Sequence, residues 1–146
     1  MVRESPGSKG VGPTIDGDEP RDVISLTVPG GGRFVGVARM VVGGLASRLD
    51  LSYERLDDLQ LAVETVLGEY AAGDNVSVEL IVRDRAVEVF LSPVDEARIL
   101  AELDGDPEAL GLGVLLSHIV DAISFEDRDG ARWLRLTKQA PISPTE

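Results

Sequence analysis

A chain of 146 residues with no cysteine and a single histidine offers few places for chemistry to begin. Without cysteine there is no disulfide, no thiolate metal site and no cysteine nucleophile. One histidine, His118, cannot build a multi-histidine metal site, and its place inside an apolar run predicts a partly buried core residue. The remaining groups are carboxylates, hydroxyls and glycines. Glu64 stands in the run DDLQLAVETVLGEYAAGDN, residues 57–75, where a carboxylate could serve as a general base. A solvated surface glutamate is the plainer expectation for it. Gly111-Leu112-Gly113 opens an apolar stretch. Backbone amides at such a helix start can hold an anion, or the glycines can simply allow a turn or close packing.

Those groups need a frame. Residues 1–21, rich in Gly, Pro, Ser and charge, predict a flexible tail, and residues 139–146 a second one. DVISLTV alternates like a strand and is broken by PGGG. RFVGVARMVVGGLASRLD spaces Phe34, Val37, Val41, Leu45 and Leu49 at helical intervals, which predicts a helix burying that stripe. Ser52 is placed to cap the next helix, whose apolar face runs through Leu56, Leu59, Val63, Val66, Leu67 and Tyr70. VSVELIV and AVEVFL form a hairpin around Arg83-Asp84-Arg85. A polar, partly helical stretch covers 92–109, then LGLGVLLSHIVDAI predicts a helix. A last hairpin turns at RDG, with Phe125 and Trp133 expected in the core. The order β, α, α, β, β, loop, α, β, β predicts one domain over residues 22–138. Its class is a two-layer α/β sandwich, mostly antiparallel, with helices on one face of the sheet.

Charge and composition narrow the function classes. Hydrophobic residues make up 43% of the chain, enough for a core. The formal net charge of −12 argues against direct nucleic-acid binding, which needs a concentrated basic surface, and leaves a basic protein partner open. No apolar run approaches the roughly 18 residues of a membrane span, and the N-terminus has no apolar signal core, so a cytoplasmic location is expected.

The segment order, with a Gly-x-Gly opening the last helix, resembles the Bergerat-fold ATPases, the histidine-kinase-like GHKL superfamily. Within it the chain most resembles the serine-kinase anti-sigma factors. VGVARMVVGGLASRLDLS is similar to that family's first helix, DDLQLAVET to its second, AVEVFL to the strand before its adenine loop, LGLGVLLSHIVDAI to its Gly-rich helix and GARWLRLTK to its final strand. The resemblance spans residues 22–138.

It implies an ATP–Mg²⁺ site made of a glutamate base, a metal-binding asparagine, an adenine-binding aspartate and the Gly-x-Gly amides. On this chain those positions hold Thr65, Glu69, Pro93 and Gly111 with Gly113, and Leu110 replaces a glycine. A threonine hydroxyl is too weak a base to activate a serine, where general-base help is typically worth about 10²–10⁴ in rate. Proline offers neither a side-chain acceptor nor an N–H. Glu64 sits one residue early, rotated by about 100° on the helix.

The expectation is a regulator that binds a sigma factor and/or a STAS-type antagonist without ATP or Mg²⁺, with a homodimer as the family's usual state. An active serine kinase with a rearranged site, using ATP and Mg²⁺, is the alternative. Arg39, in Val37-Ala38-Arg39, matches a family arginine that contacts the protein partner. Its reversal to glutamate is expected to weaken partner capture and leave stability nearly unchanged. The acidic residues Asp95, Glu96, Glu102, Asp104, Asp106 and Glu108 fall at the family's ATP lid and are expected to be a solvated loop. Because the frame looks retained, Thr65→Glu, Glu69→Asn and Pro93→Asp together are expected to restore nucleotide binding.

Overall fold

In the computed structural model, which describes residues 3–4, 22–30, 32–46, 51–104 and 112–139, strand alternation decides which sheet face is buried. A two-residue strand β1 (Arg3–Glu4) pairs with Ser25 and Ile24 of β2 (Asp22–Pro29). One short strand therefore lies within the expected N-terminal tail; residues 1–2, 5–21 and 140–146 lie outside the described residues. β2 turns Leu26 and Val28 inward, β3 (Asn75–Val82) Val76, Val78, Leu80 and Val82, and β4 (Ala86–Ser92) Val87, Val89 and Leu91. β5 (Ala122–Arg128) adds Ile123 and Phe125, and β6 (Ala131–Gln139) adds Leu134 and Leu136. The sheet order is β1-β2-β3-β4-β6-β5, antiparallel throughout. Asp129 and Gly130, with φ of 53° and 78°, make the two-residue turn between β5 and β6, whose left-handed backbone matches the strand twist.

The helices all feed one apolar cluster against that inner face, so the two-layer α/β sandwich is the architecture. α2 (Tyr53–Glu69) begins where the Ser52 hydroxyl accepts the Arg55 amide at 3.1 Å. It buries Leu59, Ala62, Val63, Val66 and Leu67, and Tyr70 just beyond it, close to the stripe read from sequence. The lid stretch holds a helix of its own, α3 (Glu96–Leu103), capped by Asp95, which buries Ile99; α4 (Leu112–Ile119) buries Leu116 and Ile119. Lys138 is buried beneath these helices. Its ammonium donates to the Ile119 carbonyl at α4's C-terminus (2.7 Å) and to Asp58 of α2 (3.3 Å). Among the described residues no helix is long and apolar enough to cross a membrane.

Three expectations need correction. α1 (Val35–Ala46) buries Ala38 and Val42, with Val35 and Val41 partly buried, while Phe34 and Val37 face solvent. Nearly every α1 residue is apolar, so spacing alone could not choose the inner stripe. Trp133 lies with Arg135 on the face of the sheet against which no described helix packs, one residue out of phase with Leu134 and Leu136. His118 is exposed.

α1 approaches α2 closely at one glycine. A Cβ at Gly43 would stand 2.8 Å from the Gln60 amide nitrogen, which donates to the Arg39 carbonyl at 3.0 Å; a Cβ at Gly44 would meet nothing within 4 Å. Gly44→Ala should therefore stabilise the protein by about 0.5–1 kcal/mol through helix propensity and chain entropy. Gly43→Ala should gain nothing, because it displaces the Gln60 hydrogen bond, worth roughly 0.5–1.5 kcal/mol. Urea midpoints of the two variants check the contrast.

Candidate functional site

α2 carries three of the positions singled out by sequence, and at two of them, Thr65 and Glu64, the side chain is already engaged in a way that sets its chemistry. Thr65 is buried, and its hydroxyl donates to the Leu61 carbonyl one turn earlier at 2.8 Å. That back-bond ties up its proton. Glu64 is half-buried and holds Arg39, with 2.6 Å from Nη1 to Oε2, so it is an ion-pair partner and not the solvated glutamate expected. Arg39 also reaches Asp57 at 3.3 Å. Its own pKa is raised, first by the hydrogen bond to Glu64. The Glu64 carboxylate, next in sequence to the base position, is thereby spent on a guanidinium.

At the next turn Glu69 is exposed, and its carbonyl accepts Arg98 Nη1 at 2.7 Å. Arg98 also lies over the Tyr70 ring, 4.8 Å from guanidinium carbon to centroid, and pairs with Glu102. Tyr70 is fully buried, and its hydroxyl donates to Glu102 at 2.6 Å. Burial, and then the Glu102 hydrogen bond, push the phenol well above its ordinary pKa, so it remains the neutral donor. Tyr70, Arg98 and Glu102 thus clasp α3 onto the end of α2. Sequence reading missed this clasp; the i, i+4 spacing of Arg98 and Glu102 was its one visible trace.

The loop after β4 is bonded to the same place. Ala72 N–H donates to the Pro93 carbonyl (3.1 Å), Asp95 N–H donates to the Tyr70 carbonyl (2.8 Å), and Ala71 bridges Val94. Pro93 packs on Gly73, where an added Cβ would come within 3.1 Å of the ring. On the other side, Gly30 donates to the Asp74 carbonyl at 2.8 Å. The carbonyl of Pro93 is used within the chain and its nitrogen carries no hydrogen, so this loop presents a base with little to recognise. Three of the acidic lid residues are likewise used, Asp95 capping α3, Glu96 pairing with Arg132 and Glu102 joining the clasp, while Asp104 is exposed. Asp106, Glu108, Leu110 and Gly111 lie outside the described residues, and Gly113 is in the first turn of α4.

Glu69 and the Pro93 loop are therefore brought together at the C-terminal end of α2, with Arg98 on the Glu69 main-chain carbonyl, while Thr65 is buried one turn earlier. Arg98 bonds the main-chain carbonyl of residue 69, so a dication held by that residue would have a guanidinium close by, and like charges repel. Arg39 stands apart, between α1 and α2.

Arg39→Glu would set a third carboxylate against Glu64 and Asp57. A lower melting temperature is expected for that variant, in place of the nearly unchanged stability read from sequence. Arg39→Met, which leaves no like-charge contact of its own, should fall between it and the parent. A thermal melt of the three proteins checks the order.

No family model matches the chain. Similarity appears instead to individual proteins called serine-protein kinase RsbW. That of Halalkalibacterium halodurans is 28% identical over 131 residues, covering 75% of this chain and 78% of the relative. That of Bacillus velezensis is 30% identical over 111 residues, covering 70% and 66%. That of Oceanobacillus iheyensis is 39% identical over a shorter match of 62 residues, covering 40% and 39%.

Proposed function

The chain belongs to the Bergerat-fold family of serine-kinase anti-sigma factors that includes RsbW, and from that membership we propose that it is an anti-sigma-type regulator working by capture alone. It binds a sigma factor and/or a STAS-type antagonist in the cytoplasm, without ATP, Mg²⁺ or phosphoryl transfer. The observation that carries this reading is Arg98, whose guanidinium sits 2.7 Å from the main-chain carbonyl of Glu69, the residue that stands where the family has its metal-binding asparagine. Thr65 and Pro93 support it, as neither supplies the acid–base or acceptor group that kinase chemistry needs. A working kinase would have to recruit Glu64, and Arg39 already holds that carboxylate at 2.6 Å.

The test is reconstitution. The protein is mixed with sigma factors and STAS proteins encoded in the same genome, with and without ATP, and run on size exclusion. A complex that forms equally well in both conditions, with no phosphate appearing on the STAS serine, is the expected result. Transfer of labelled phosphate from ATP to that serine would overturn the reading.

A further inference from the structure

On the sheet face against which no described helix packs, three buried side-chain atoms have no hydrogen-bond partner: Arg128 Nη1, Arg135 Nε and the Trp133 indole nitrogen. All three are N–H donors. Buried polar groups are nearly always paired, so three unpaired donors of one kind point to an acceptor they share. Their side chains stand together. Arg135 is the cross-strand neighbour of Phe90 and lies two residues from Trp133 on β6. The Arg128 guanidinium is 4.4 Å from the Phe90 centroid and 5.2 Å from that of Trp133, and the Arg135 guanidinium is 5.8 Å from Phe90. The Phe90 ring thus gathers both guanidiniums, and Arg128 joins the indole to them.

The surroundings narrow the acceptor. The carboxylates that hold these arginines are engaged: Glu79 accepts Arg128 Nη2 at 2.6 Å and the Ser25 hydroxyl at 3.4 Å, and Glu88 accepts Arg83 at 2.9 Å and Arg135 Nη2. The ring faces, weak acceptors, already carry Arg128. A water would accept from two of the donors and bring two hydrogens that need acceptors of their own. A halide accepts from all three and donates nothing. Charge agrees. Glu88 divides its charge between Arg83 and Arg135, and Glu126, 4.0 Å from Arg135, is 38% exposed, where solvent screens it. Size agrees too, since nitrogens closed off from solvent suit a monatomic ion and not phosphate. The net charge of −12 repels anions at long range, but ordinary salt screens that repulsion within roughly 10 Å and leaves the close hydrogen bonds to decide. We infer that Arg128 Nη1, Arg135 Nε and the Trp133 indole N–H hold a chloride ion beside Phe90. The site is independent of which protein the chain captures, and it ties closure of this sheet face to the concentration of a small ion.

Trp133 is the chain's one tryptophan, so its emission reports the site directly. The full chain is held at constant ionic strength while sodium chloride or sodium bromide replaces sodium gluconate. The melting temperature should rise with either halide and level off. Bromide, a heavy-atom quencher, should dim Trp133 to a plateau without shortening the lifetime of the remaining emission, and chloride should reverse the quenching. Trp133→Phe keeps a ring and removes the N–H, so the chloride needed for half the melting-temperature rise should increase about tenfold, the equivalent of about 1.4 kcal/mol. Arg128→Lys keeps a charge over the rings without Nη1 and leaves Trp133 to report; its bromide plateau should move to higher concentration by a similar factor. General effects of salt are common to parent and variants and cancel in the comparison. Quenching that grows linearly with bromide, or a halide response equal in the parent and both variants, would overturn the proposal. So would Trp133 emission that follows protein concentration and not halide, because the acceptors would then come from a second copy of the chain.

Discussion

Titration of ATP and Mg²⁺ into the protein is expected to return only heats of dilution up to about millimolar nucleotide. Relative to a micromolar site this is a loss of at least about a thousandfold, or 4 kcal/mol. The triple variant Thr65→Glu, Glu69→Asn, Pro93→Asp is expected to stay silent as well, which reverses the expectation from sequence. The reason is Arg98. It occupies the space beside residue 69, bound to a main-chain carbonyl that none of the three substitutions alters, and it is pinned there by the Tyr70 ring and Glu102. A new carboxylate at 65 would also have to leave the buried place where the threonine hydroxyl bonds the Leu61 carbonyl. Adding Arg98→Ala to the triple variant removes the resident cation and loosens α3, and this fourfold variant is the first in which weak nucleotide heat is expected. Micromolar binding by the parent would refute the loss of the site, and binding by the triple variant would show that Arg98 is no obstacle.

Periodicity is legible in sequence only where polar residues mark the outer face. α2 alternates charged and apolar residues, so spacing alone assigns Leu59, Val63, Val66 and Leu67 to the core, where they lie. The hairpin strands alternate too, and their inner residues are legible for the same reason. α1 is not, because a helix with one charge has no polar face to mark its outside, and the spacing that turns Val37 inward is wrong. Trp133 is misplaced when residue type is trusted over phase: its neighbours Leu134 and Leu136 fix the inner face, and the odd-numbered residues beside them must face away. Substitutions at 65, 69 and 93 are visible as letters. Their replacement by contacts between distant segments is not, since Arg98 meets Glu69 across 29 residues and Glu64 meets Arg39 across 25.

The misplaced tryptophan belongs to a face that decides how much apolar surface the molecule leaves open. No described helix packs on that side of the sheet, yet Phe90, Ile81 and Glu88 are buried there. Arginines cover it. Arg128 lies 4.4 Å from the Phe90 centroid and 5.2 Å from that of Trp133, and Arg135 lies 5.8 Å from Phe90. Glutamates anchor them: Glu79 holds Arg128 at 2.6 Å, and Glu88 holds both Arg83, at 2.9 Å, and Arg135. With its side chain only 4% exposed, Glu88 is the anchor shared by two guanidiniums. Glu88→Ala is therefore expected to cost about 3 kcal/mol or more, because it removes from a buried ionic group the carboxylate that both guanidiniums share. That is a large share of the roughly 5–15 kcal/mol that holds a domain of this size together. Glu88→Gln keeps an acceptor for one arginine and should cost roughly half as much. Once released, Arg135 no longer shields Phe90, so the alanine variant should also self-associate, with the α1–α2 face unchanged. Urea unfolding gives the first quantity and sedimentation velocity the second. A Glu88→Ala protein as stable and as monodisperse as the parent would show that the arginines stay on the rings by stacking alone.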